Sequence, residues 1–336
     1  MRVEAEAELS AADTPSDASR ESTEMRVEEI TSGQNPKVKE LLALQEKSRE
    51  RAERGLFVVE GRREFRQCLD AGFIPDTVFI CPDIFGSGKL SPDTFGGGKL
   101  SPDTFGGGKF NHDTFGSGKL SPDTFGGGEA GKGLAFDPEG LLKTGCKVCM
   151  VSKEVYAKIA YRGGTEGIVA EIRYRERTLK DIVLGENPLV MVLESVEKPG
   201  NLGAVLRSAD AAGADAVVVC DPRTDLYNPN LIRASLGAIF SRQVAAASSE
   251  ETIAWLKANG IRILTAQLQD SVLYYDTPMQ GPTALVMGTE STGLTNLWRD
   301  AADAHIRIPM LGSLDSLNVS VSAAILLFEA LRQRHP

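Results

Sequence analysis

Three short stretches hold residue types whose spacing could do chemistry. The first runs from Glu194 to Arg207 and carries Asn201 and Arg207 on one helical segment. At about 100° per residue, Arg207 falls roughly 150° from the centre of the apolar stripe Leu202, Val205, Leu206 and Ala209, so its guanidinium faces solvent or a site. Asn201 is placed to cap that helix at its start and Gly213 to end it. The second stretch follows an apolar run and holds Met287, Gly288, Glu290 and Gly293. A glycine closing a buried strand lets a ligand approach the backbone, and Glu290 sits inside the turn, either capping the next helix or serving a site. The third holds Ile308 and Met310, then Ser316, Leu317, Asn318, Ser320 and Ser322. Capping a helix start needs one short polar residue. Four of them, where the orphan N–H groups point outward, read as the lining of a polar pocket.

Other chemistries lack their residues. The dinucleotide fingerprint Gly-x-Gly-x-x-Gly is missing from the first stretch, where only Gly200 and Gly203 occur, which weighs against a nicotinamide oxidoreductase. Gly-Ser-Gly-Lys runs occur from Gly86 onward without the spacing of a phosphate loop. Cys146 and Cys149 have the spacing of half a zinc site but no second pair, and are expected to be buried thiols. With histidine only at His112, His305 and His335, no metal constellation is available.

The elements that must position these loops alternate in type. From residue 188 onward, strands are predicted at 189–194, 216–220, 242–246, 261–266, 283–287 and 305–308. Helices are predicted at 202–212, 229–236, 250–259 and 317–334. Such alternation implies a mostly parallel sheet covered on both faces, with ligands beyond the C-terminal ends of the strands. Residues 29–175 form a smaller α/β domain, opening with a helix near Asn35-Pro36 that runs into the mixed-charge stretch 46–54. Residues 176–187 read as a linker. A tandem decapeptide repeat at 83–132 offers one Phe per copy, too little apolar area to offset chain entropy, and is read as a low-complexity insertion. Residues 1–28 are acidic, lack apolar periodicity and are read as disordered.

The 336 residues carry 37 basic and 46 acidic side chains. A net charge of −9 argues on its face against a nucleic-acid partner. Residues 1–24 hold seven acids against two bases, however, so more than half of the excess lies in the tail and local patches decide. The longest apolar run, 323–328, cannot span a bilayer. Five cysteines with no apolar leader suit the reducing cytoplasm.

Taken together, Asn-x5-Arg at Asn201 and Arg207, Gly-x-Glu-x-x-Gly at Gly288 to Gly293, and Ile308-Pro-Met with Ser316-Leu-Asn-Val-Ser320 resemble the signature motifs of the SpoU family of RNA methyltransferases, within the SPOUT superfamily. The first domain is similar to that family's substrate-binding domain through Asn35-Pro36-x-Val38-Lys39, Val59-Glu60-Gly61 and Gly167-Ile168-Val169-Ala170; the insertion departs from the pattern. The resemblance implies a trefoil knot, a homodimer, S-adenosylmethionine as donor and a ribose 2′-hydroxyl in RNA as acceptor. Ribosomal RNA is favoured over transfer RNA; a catalytically silent RNA-binding factor on the same fold is the other alternative. It assigns Arg207, Asn201, Glu290, Ser316 and Asn318 to catalysis. Met287, Gly288, Glu290, Gly293, Ile308, Met310, Leu317 and Asn318 are assigned to the donor. Since guanidinium resists deprotonation, Arg207 suits an alkoxide or a phosphate better than the role of base. Lys37, Lys39, Arg62, Arg63, Tyr161 and Arg162 are the candidates for touching RNA, Tyr161 by stacking on an unpaired base.

Overall fold

The computed structural model describes residues 27–85, 145–161, 166–241, 243–289, 292–313 and 316–335. The acidic segment before Val27, the insertion beyond Phe85, Arg162 and Glu290 lie outside the described residues.

The first domain begins with β1 (Val27–Ile30), two residues earlier than the composition indicated. Next come α1 (Pro36–Glu46) and α2 (Ser48–Arg54). Asn35 caps α1 by accepting from the Lys37 N–H, and Val38, Leu41 and Leu44 form its buried stripe. The predicted single helix through 46–54 is two, because Lys47 is extended and α2 leaves in a new direction, with Arg51 turned inward. The chain continues through β2 (Leu56–Glu60), α3 (Arg62–Asp70), β3 (Pro75–Ile80) and the short α4 (Pro82–Phe85). It resumes with β4 (Lys147–Val151), α5 (Lys153–Ile159) and β5 (Ile168–Arg173). The strands order as β1-β4-β3-β5-β2, parallel except for β5, which runs against both β3 and β2. Cys146 and Cys149 are buried in different cores, on opposite sides of this sheet, which separates them as ligands for one metal ion.

The second domain contains β6 (Leu189–Glu194), α6 (Pro199–Ala211), β7 (Ala216–Cys220), α7 (Pro229–Ala234), α8 (Ala238–Ser241) and β8 (Gln243–Ala247). Then follow α9 (Ser249–Ala258), β9 (Arg262–Ala266), β10 (Val272–Leu273), β11 (Thr283–Met287), α10 (Asn296–Ala301), β12 (Ala304–Arg307) and α11 (Val319–Arg334). Its seven strands order as β10-β12-β9-β11-β6-β7-β8, every pairing parallel. Every residue of β6, β7 and β11 is buried, as continuous apolar runs in a sheet covered on both faces require. No helix among the described residues is long and apolar enough to cross a membrane.

A single apolar core joins the domains. Phe57 of β2 stacks on Tyr227 with ring centroids 4.3 Å apart, and Phe73 meets Phe240 edge-on at 5.3 Å. Arg51, 2% exposed, donates to Asp225 across the junction at 2.5 Å. The predicted linker packs on β8: the Ala246 N–H donates to the Arg177 carbonyl, and Gln243 bonds both backbone groups of Val183 at 2.7 Å. These contacts hold the small domain in one orientation against the sheet that bears the motif loops.

Candidate active site

Beyond the C-terminal ends of β9, β11 and β12 the chain leaves a cleft of about 580 Å³. Its floor is apolar, with Met287, Leu294, Ile308 and Leu326; its rim is polar, with Ser316, Asn318 and Ser322. All the residues predicted to hold the donor line this cleft except Glu290, which lies outside the described residues. They come from two separate loops, after β11 and β12, which the parallel order of β9, β11 and β12 delivers to one end of the sheet beside the loop after β9.

The loop after β11 is shaped by its glycines. Thr289 and Gly293 exchange backbone hydrogen bonds at 3.3 and 3.1 Å, closing a tight turn. Gly293 has φ +68°, and a Cβ on Gly288 would lie 2.2 Å from the Gly293 carbonyl oxygen, so both positions need glycine. The far end of the loop is tied down by Glu194 at the end of β6. Its buried carboxylate accepts from the Thr295 N–H at 2.9 Å and from the Thr295 hydroxyl at 2.6 Å. The sequence singles out no role for Glu194; its place at the end of a buried strand was the only signal.

Asn318 caps α11, accepting from the Ser320 N–H at 2.9 Å and the Ser320 hydroxyl at 2.6 Å. Its Nδ2 donates to Asn201 Oδ1 at 3.2 Å, joining the third motif to the first. Asn201 is not the cap of α6. Pro199 occupies the first turn and Lys198 the cap, because proline is favoured where no N–H partner is needed, and Asn201 therefore lies inside the helix. Six residues further on, about 9 Å along the axis, Arg207 is exposed and lines a second cleft, of about 510 Å³, with Gln67, Ser208, Ser235, Leu236 and Phe328. Asn201 and Asn318 thus touch, Ser316 and Asn318 face the donor cleft, and Arg207 stands in the adjoining one.

Of the residues predicted for RNA, several are engaged within the protein. Lys37 pairs with Glu28, and that hydrogen bond raises its pKa. Arg62 donates to the Phe85 and Glu166 carbonyls and lies 3.8 Å over the Phe85 ring; Arg63 pairs with Glu64 at 2.5 Å. Lys39 is exposed, and Tyr161 is half exposed. The Tyr161 ring carries the Arg233 guanidinium of α7 at 4.1 Å, a contact between the domains that nothing in the spacing of either residue announced.

The geometry has counterparts among known proteins. The model of the SpoU rRNA Methylase family matches residues 188–328, and that of the MRM3-like substrate binding domain matches residues 35–94. The 23S rRNA (guanosine-2′-O-)-methyltransferase RlmB of Salmonella typhi is 42% identical over 176 residues, which cover 50% of this chain and 72% of that protein. Its Escherichia coli counterpart is 41% identical with the same coverage. A crystal structure of an RNA 2′-O ribose methyltransferase superposes with a TM-score of 0.65 at 34% identity, covering 91% of this chain and 99% of that one. The AdoMet-bound rRNA methyltransferase from Sinorhizobium meliloti gives a TM-score of 0.70 at 28% identity, covering 91% and 98%. Likeness at this level runs through the very loops that build the donor cleft, and the chain belongs to the SpoU rRNA methylase family.

Proposed function

We propose that this methyltransferase modifies the ribose 2′-hydroxyl of a guanosine in 23S-type ribosomal RNA, using S-adenosylmethionine held in the cleft beyond β9, β11 and β12. The observation that carries the reading is the convergence of the second and third motif loops on that one cleft, linked through the Asn318–Asn201 hydrogen bond to the helix bearing Arg207. Bound S-adenosylmethionine supplies a methyl group made electrophilic by its sulfonium. The cleft fits it: an apolar floor suits the adenine, and the backbone of the loops after β11 and β12 offers hydrogen bonds to the nucleoside. Likeness to the 23S rRNA (guanosine-2′-O-)-methyltransferases supports the acceptor and the nucleoside.

Arg207 acts on the acceptor side. Its fixed charge stabilises the oxygen as its proton leaves, or grips the neighbouring phosphate, while Asn201, Ser316 and Asn318 orient the reacting groups. The small domain, residues 29–175, holds the RNA, with Lys39 and the Tyr161 ring as its contacts. Action on ribosomal RNA assigns the protein to the cytoplasm. The reading includes the trefoil thread, supported by a sheet in which β11 and β12 flank β9.

The same reading makes the protein a homodimer. On α11, Val321 and Phe328 are about half exposed and share a face opposite the buried Ala323, Leu327 and Ala330, and Leu317 is exposed just before it. A second copy covering this face would set the Arg207 of one subunit beside the donor cleft of the other, which accounts for the two clefts of a single chain. Phe328→Asp should give a monomer in light scattering.

The test is methyl transfer from labelled S-adenosylmethionine to in vitro transcribed 23S rRNA, with mapping of alkali-resistant linkages. Label at one ribose is expected. Label on a base, or none on any ribosomal RNA, overturns the reading.

A further inference from the structure

Five buried side-chain polar atoms lack a hydrogen-bond partner among the described residues, and two of them, Arg299 Nε and Gln267 Oε1, belong to the wall of the donor cleft. A native interior seldom leaves such groups unmet, because each costs its desolvation without compensation. Their surroundings do not supply the missing partners. Among the described residues Arg299, near the end of α10, finds no partner for its buried Nε, and the other cation of the cleft, Arg307, is spent on the Ser271 carbonyl. No carboxylate stands among the described residues that line the cleft. Gln267, following β9, donates its Nε2 to the Gln269 carbonyl at 3.0 Å, which fixes the opposite end of the amide as the oxygen. The cleft therefore holds a cationic donor without an acceptor and an acceptor without a donor.

We propose that Arg299 and Gln267 bind the amino-acid end of S-adenosylmethionine, Arg299 taking its α-carboxylate and Gln267 Oε1 its α-ammonium. A zwitterion satisfies both orphaned atoms at once, and the planar fork of guanidinium matches a carboxylate. The backbone of the loops after β11 and β12 is then left for the nucleoside. This assignment rests on the donor cleft proposed above.

Calorimetry with three ligands tests it: S-adenosylmethionine, S-adenosylhomocysteine and 5′-methylthioadenosine, which keeps the nucleoside and thioether but lacks the amino-acid end. Arg299→Ala should weaken the first two about tenfold to a hundredfold and Gln267→Met about tenfold, the range of one hydrogen bond to a charged group. Arg299→Lys, which keeps the charge but loses the planar fork, should fall between wild type and Arg299→Ala. Methylthioadenosine should bind all variants equally, which also reports that they are folded. Equal binding of S-adenosylmethionine to wild type and Arg299→Ala overturns the assignment and leaves the donor cleft intact. So does a parallel loss of all three ligands, which would make Arg299 a structural residue. If the wild-type protein binds none of the three, the donor cleft itself is wrong and the assignment falls with it.

Discussion

Removing the carboxylate of Asp225 should loosen the junction between the domains. Arg51 is almost fully buried, and its guanidinium is met by three oxygens: Asp225 Oδ2 at 2.5 Å, the Leu44 carbonyl at 2.6 Å and the Gln45 carbonyl at 3.3 Å. Asp225→Ala leaves the cation buried with two neutral acceptors. Breaking one side of a buried pair costs about 3–5 kcal/mol. The Asp225 side chain keeps 18% of its surface exposed, so water can partly replace it and the lower end, about 3 kcal/mol, is expected. For a chain of this size that is a fall in melting temperature of roughly 6–12 °C. Both tryptophans, Trp255 and Trp298, lie in the second domain. Tryptophan fluorescence therefore follows that domain, and far-ultraviolet circular dichroism follows both. In the wild type the two signals should unfold together, as a shared core requires. In Asp225→Ala the transition should move down, and Arg51→Met combined with Asp225→Leu should recover most of the loss, since the cost lies in the orphaned charge rather than in the missing pair. A loss below about 1 kcal/mol in Asp225→Ala would refute the reasoning, because a guanidinium this deeply buried would then be content without its carboxylate.

Arg207→Ala should leave S-adenosylmethionine affinity near wild type by calorimetry and lower turnover by about 10²–10³, the cost of losing one charge-stabilising donor; equal loss of both would put Arg207 in the wrong role. Tyr161→Ala should weaken RNA binding about tenfold in fluorescence anisotropy, with Tyr161→Trp restoring it, as stacking predicts; an unchanged affinity removes Tyr161 from the interface. Glu171, buried in β5 among Asp76 and Glu40, has its pKa raised from 4.5 to about 7, with burial as the main cause. The folded state then binds the proton that the unfolded state has released, so stability falls as pH rises from about 4.5 to about 7 and levels off above. Glu171→Gln should abolish that slope and stabilise the protein at pH 8 by up to about 3 kcal/mol in urea melts; a variant with the wild-type slope would show that Glu171 is not its source.

Much of this was legible before any coordinates. The runs at 189–193, 216–220 and 284–287 are continuous and apolar, as strands of a parallel sheet covered on both faces are; all three are buried completely in such a sheet. Glycines at 288 and 293 announced a close turn, and the short polar residues from 316 to 322 announced a helix start, because these depend on a few adjacent residues. Local signals failed where a local rule met a long-range contact. Asn201 looked like a cap, but Pro199 starts the helix earlier and the Asn201 amide oxygen accepts from Asn318 instead. The mixed-charge run at 46–54 read as the continuation of the helix that opens at Asn35. Arg51 is instead a buried strut, since its partner Asp225 lies 174 residues away. Arg62 read as an RNA contact and is taken up by Phe85 and the Glu166 carbonyl.

What the sequence determined by itself is the alternation of strand and helix, the loops that bear polar residues and the family motifs, because periodicity, capping and turn chemistry act over a few residues at a time. The tertiary structure decided which charges are spent inside the protein and which stay available, and it divided the motif residues between two neighbouring clefts. It also left Arg299 and Gln267 unpaired at the donor cleft. These outcomes depend on which distant side chains meet across the sheet and the domain junction, and pairings at that range carry no mark in the spacing of either partner.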